Sequence, residues 1–104
     1  MKVLWTKSAE NQLDDIYDYL QILNTLAAVE IYNDIVDESA LLAHFPFMGV
    51  IEPLISDLSE EYRSVIVRRN YKIVYFIDKT TIYIVAIFDC RQNPEKLESI
   101  IKNN

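Results

Sequence analysis

Glycine, histidine and cysteine each occur once among the 104 residues, and proline three times. A single glycine, Gly49, cannot build a glycine-rich phosphate loop, so nucleotide cradles of that kind are excluded. A single cysteine, Cys90, cannot pair within the chain; a disulfide scaffold is ruled out, and a reducing, cytoplasmic setting is expected. His44 and Cys90 together cannot supply the three or four ligands of a zinc or iron centre, so no metal and no cofactor are expected. A Ser-His-Asp arrangement would have to recruit the same histidine, and no nucleophile elbow is present. No apolar run approaches a membrane span. Acidic residues enter by Glu10, unlike the basic and then apolar start of a signal peptide, so an unexported protein with no membrane partner is expected.

What is present is ordinary globular material, 51% hydrophobic and 25% charged, which is enough apolar residues for a core and too many for a disordered chain. The length suits one domain, residues 1–104. The net charge of -6 argues against a general nucleic-acid coat, but it is unevenly spread. Residues 1–61 hold two Lys or Arg and twelve Asp or Glu, whereas residues 62–104 hold eight and four. Two faces with different partners would produce such a split, and so would two helices with solvated acidic flanks.

Val3 and Trp5 alternate in a short first strand. Ala9, Leu13, Ile16, Tyr17, Leu20 and Leu23 then recur at helical spacing, with Thr6 or Ser8 as N-cap. Asn24-Thr25 interrupts the pattern, and Thr25 is read as the cap of a second helix with an inner stripe of Ala28, Ile31, Tyr32, Ile35, Ser39 and Leu42. So short a connection predicts an antiparallel helical hairpin. Pro46 ends the second helix, Gly49 is expected at a turn of positive φ, and residues 50–61 read as an irregular connection in which Pro53 forbids a central strand. Three strands follow within Tyr62–Arg91, joined by turns at Arg69-Asn70 and Asp78-Lys79-Thr80. The last of them, Thr81–Phe88, is nearly all apolar, as befits a central strand. Asn93-Pro94-Glu95 starts a short final helix. The expected fold is α+β: an N-terminal strand and helical hairpin on a mainly antiparallel four-stranded sheet, β-α-α-β-β-β, with a C-terminal helix.

Asp14 with Asp18, and Asp34 with Glu38, stand one helical turn apart, a spacing usual on solvated faces. Cys90 ends an apolar strand and reads as a small core residue. The cations Arg63, Lys72 and Arg91 lie at strand ends or edges, where rigid Arg and Lys can hold phosphates or stabilise charge during RNA cleavage. Pairing with neighbouring carboxylates, such as Arg91 with Asp89 or Glu95, is the structural alternative.

Several pieces, in order, resemble the RelE/ParE superfamily of type II toxin-antitoxin toxins. They are the Ala9, Leu13, Ile16, Tyr19 pattern after the first strand, the His44-x-Pro46-x-x-Gly49 bend, Tyr62-Arg63, Tyr71-Lys72-Ile73-Val74-Tyr75, and a last apolar strand ending in Arg91. The resemblance covers nearly the whole chain. It implies a growth-arresting, plasmid-stabilising bacterial toxin neutralised by a cognate antitoxin. One branch cleaves mRNA on the ribosome; the ParE-like branch inhibits DNA gyrase. Catalytic residues of the nuclease branch would map to Arg63, Lys72 and Arg91. Its second strand lysine falls on Val65 and its C-terminal tyrosine near Leu97, neither of which can do that chemistry. Tyr62 or Tyr71 could substitute only with hydroxyls facing the cations. With the acidic net charge, the resemblance favours the ParE-like, gyrase-inhibiting reading. The ribosome-dependent endoribonuclease is the alternative, and a non-toxic antitoxin-binding module a further one.

Overall fold

The computed structural model describes residues 1–103. Strand β1 (Lys2–Trp5) leads into helix α1 (Lys7–Leu23), which the Thr6 hydroxyl caps by accepting from the Ala9 N–H at 3.1 Å. Helix α2 (Thr25–Leu41) follows after Asn24 alone. Asn24 serves both helices: its N–H donates to Leu20 O at 2.8 Å, and its side chain accepts from the Ala27 N–H at 3.0 Å. The cap is therefore one residue earlier than the expected Thr25, because the carboxamide of Asn24 reaches the first free N–H groups of α2.

Residues 50–61 are less irregular than the proline suggests. Val50–Ile51 forms strand β2 on the sheet edge, and Pro53–Ile55 makes one 3-10 turn. Proline is tolerated because it lies just beyond the paired residues. Strands β3 (Arg63–Val67), β4 (Tyr71–Asp78) and β5 (Thr81–Asp89) form the meander, and α3 (Glu95–Lys102) closes the chain. The sheet thus has five strands in the order β1-β5-β4-β3-β2, antiparallel throughout except where β1 lies parallel to β5. Register shifts once: Val74 faces Ala86 but Tyr75 faces Ile84, so β5 carries an extra residue.

Two cores sandwich the sheet. On one face α1 and α2 bury Ala9, Leu13, Ile35 and Leu42 against Ile73, Tyr75, Ile82 and Ile84. On the other, Leu97 and Ile101 of α3 and Ile55 of the 3-10 turn cover Val74, Ala86 and Phe88. Strand β5 contributes to both, which explains its continuous apolar run. Leu23, placed by periodicity on the inner stripe, is 65% exposed because the hairpin tip overhangs the core.

Gly49 does not have positive φ; the positive values belong to Arg68, Arg69 and Lys79. The glycine is required for space. A Cβ there would lie 2.7 Å from the Tyr75 hydroxyl and 2.9 Å from Ser64 O. That hydroxyl donates to Pro46 O at 2.8 Å and accepts from the Gly49 N–H at 3.0 Å, so one buried tyrosine pins both ends of the Pro46–Gly49 bend. Burial pushes the Tyr75 phenol up, opposed by the Gly49 N–H and by Arg63.

Candidate functional site

The candidate site residues are the three cations of the strand block, Arg63, Lys72 and Arg91. Arg63 opens β3 directly opposite Tyr75 and so lies on the helical-hairpin face. Its guanidinium donates to Gly49 O at 2.9 Å and to Glu61 at 3.0 Å, and stacks over the Phe47 ring with its carbon 5.1 Å from the centroid. Phe47 is 63% exposed, so Arg63 and Phe47 present one aromatic-cationic surface.

Lys72 lies three residues back along β4, about 10 Å away along the strand. Alternation puts it on the opposite face with Val74. Its ammonium donates to Glu52, a carboxylate with no exposed surface. The second oxygen of Glu52 has no hydrogen-bond partner among the described residues. Sequence reasoning misses Glu52, whose signal is that of one charge inside the otherwise uncharged run Val50–Ile55.

Arg91 follows β5 and returns to the hairpin face. It grips Asp89 through two nitrogens, at 2.9 and 2.8 Å, donates to the Tyr71 hydroxyl at 3.0 Å, and sits over that ring. The Arg91 hydrogen bonds hold the Asp89 carboxyl below its ordinary range, and Asp89 in turn raises Arg91. Tyr71 thus has its hydroxyl beside a family-position cation. Tyr62 instead packs edge-on against Phe76 on the other face, its phenol pushed up by burial and by Glu60.

The fold therefore gathers Arg91 and Tyr71, sets Arg63 apart, and turns Lys72 away to the other side. Val65 packs against the hairpin core and Leu97 is fully buried, so neither offers a polar group. His44 is exposed in the turn that follows α2. Burial raises the Cys90 thiol, with nearby Lys72 opposing, so it is a poor nucleophile at neutral pH. Among the described residues no three His, Cys, Asp or Glu side chains are grouped to hold a metal, and no helix is long and apolar enough to cross a membrane.

Comparison with known proteins decides the family. The model of the ParE toxin of type II toxin-antitoxin systems, parDE, matches residues 3–94. This chain belongs to the ParE toxin family. A solved structure described as the chromosomal ParDE toxin-antitoxin system from P. aeruginosa has the same fold, with a TM-score of 0.72. The match covers 86% of this chain and 95% of that one at 25% identity. No curated protein sequence matches the chain. The ParE match begins in β1 and ends at Pro94, so it takes in the hairpin, the Pro46–Gly49 bend and all three cations. In this ParE toxin each of those cations is already held by a carboxylate of its own chain.

Proposed function

We propose that this ParE-family toxin arrests growth by binding DNA gyrase in the cytoplasm, and that a cognate antitoxin protein neutralises it by covering its surface. The observation that carries the non-nuclease part is the state of the cations. RNA cleavage by 2′-hydroxyl attack needs unneutralised charge and a proton donor and acceptor converging on one phosphate. Here Arg63 and Lys72 occupy opposite faces, and Lys72 is consumed by the buried Glu52. Buried Leu97 and half-buried Val65 stand where the nuclease branch needs polar groups. A contact function is supported instead by exposed apolar side chains, among them Phe47 at 63%, Val50 at 67% and Ile66 at 59% around the β2 edge. The experiment is a supercoiling assay with purified gyrase: toxin should inhibit supercoiling or trap cleaved DNA, and antitoxin should reverse it. Full gyrase activity at saturating toxin would sink this target.

One observation keeps the ribosome-dependent endonuclease as a second reading, namely the Arg91 guanidinium 3.0 Å from the Tyr71 hydroxyl. It predicts message cuts in the ribosomal A site that disappear in Arg91→Ala. Uncut message on toxin-loaded ribosomes excludes it. The non-toxic module is separated from both by induction without antitoxin, since it alone leaves growth unaffected.

A further inference from the structure

The tip of the helical hairpin carries an apolar patch that belongs to neither core. Every residue from 21 to 26 is exposed there. Ile22 is 84% exposed, Leu26 69% and Tyr19 63%, and they join Leu23 at the same end of the hairpin. Tyr19, Ile22 and Leu23 stand three and four residues apart, so they share one side of α1. Leu26 continues the patch in the first turn of α2. Asn24 caps both helices, so the tip is ordered before any partner arrives, and docking on it costs little further ordering.

The distribution of charge specifies the occupant. Between Asp18 and Glu30 the hairpin has no charged residue, whereas the remainder of α1 and α2 holds one lysine and eight carboxylates. Glu30 and Asp34 are held by Arg68, and the other six have no ion-pair partner among the described residues. Two copies of the chain, each of net charge -6, therefore repel along the shafts of their hairpins and meet free of like-charge contact at the tips. The area fits as well. The four apolar side chains expose on the order of 500 Å². Two tips face to face thus remove roughly 1,000 Å² from water, the lower bound of a specific interface. Gln21 and Thr25 supply an uncharged polar rim. The exposed Phe47 and Val50 follow the other end of α2, whose 17 residues span about 25 Å, so a pair joined at the tips leaves them free.

We infer that the hairpin tip is a self-association surface, on which two copies of this chain pair about a two-fold axis through Tyr19, Ile22, Leu23 and Leu26. The pairing is independent of the toxin's target. Asp18 and Glu30 flank the contact in each copy, so the pair tightens as salt screens them, opposite to an interface held by ion pairs.

The test is sedimentation velocity on the full-length toxin purified free of antitoxin. Wild type should dimerise with a Kd on the order of 10 µM, and more tightly at about 0.5 M salt than at about 0.05 M. Ile22→Ser/Leu26→Ser should weaken the dimer at least about a hundredfold, because a two-fold contact loses each side chain twice. Val50→Ser/Ile66→Ser, which removes similar exposed side chains near β2, should dimerise as wild type does. Circular dichroism checks that the variants fold. Thr25→Asp gives a second reading that keeps every apolar side chain and suits a helix start. It should weaken the dimer at low salt and recover at high salt. A wild type still monomeric at about 100 µM would overturn the inference. So would a dimer indifferent to the tip substitutions, one lost equally in both serine variants, or one that loosens with salt. If wild type is monomeric and only the tip variant fails to bind antitoxin or gyrase, the tip belongs to that partner and not to a second copy.

Discussion

Lys72 shows how one residue can occupy a family position and be diverted to structure. Its ammonium neutralises a carboxylate from which water is wholly excluded. Lys72→Met should therefore cost about 3 kcal/mol, because it leaves Glu52 charged and unpaired inside the protein. Adding Glu52→Gln should restore most of that loss, as read from urea unfolding of the two variants. Gly49→Ala should cost about 2 kcal/mol by overpacking against Tyr75 and Ser64. Arg91 tests pH linkage. Asp89 binds its proton less readily when folded than when unfolded, so the pair's stabilisation is complete above the ordinary carboxylate range. That stabilisation disappears as pH falls through the lowered folded value. The stability gap between wild type and Arg91→Ala should accordingly shrink from pH 6 to pH 3 in denaturant titrations. None of these partnerships was fully legible in the sequence. Asp89 could be named as a partner for Arg91 because it is two residues away, whereas Glu52 and Lys72 meet only through the β2–β3–β4 pairing.

At the scale of elements, the periodicities carried most of the fold. The stripes of α1 and α2, the alternation in β4 and the apolar run of β5 each reflect a face that must be buried, so they are written into composition. Caps and turns were less legible, because several residues can supply the same hydrogen bond. Asn24 rather than Thr25 caps α2, and in α3 the side chain of Asn93 accepts from Glu95 N–H at 3.0 Å while Pro94 stands at the N-cap position and Glu95 opens the helix. Strand β2, at two residues, is too short for any periodic signal. The β3–β4 hairpin reverses through Arg68, Arg69 and Asn70, with φ of 49° at Arg68 and 68° at Arg69. Arg68 is tied down by Asp34 and Glu30 of α2, but Arg69 has no such anchor among the described residues. Left-handed backbone is costly for a residue with a Cβ, so Arg69→Gly should gain about 1 kcal/mol in thermal or urea unfolding. A loss would mean that the arginine side chain stabilises the turn in some further way.

For the molecule as a whole, the chain order has a temporal consequence. Lys2 pairs with Thr81 and Trp5 with Ile84, so the first strand made is seated beside the last. The acidic helical hairpin can form early from local contacts, but its apolar stripe is not fully covered until β5 adds Ile82, Ile84 and Ile87 to the core. A polypeptide still being synthesised therefore cannot seat β1 in the sheet until β5 has been made. A chain halted before β5 lacks the strand beside which β1 is seated and against which α1 packs.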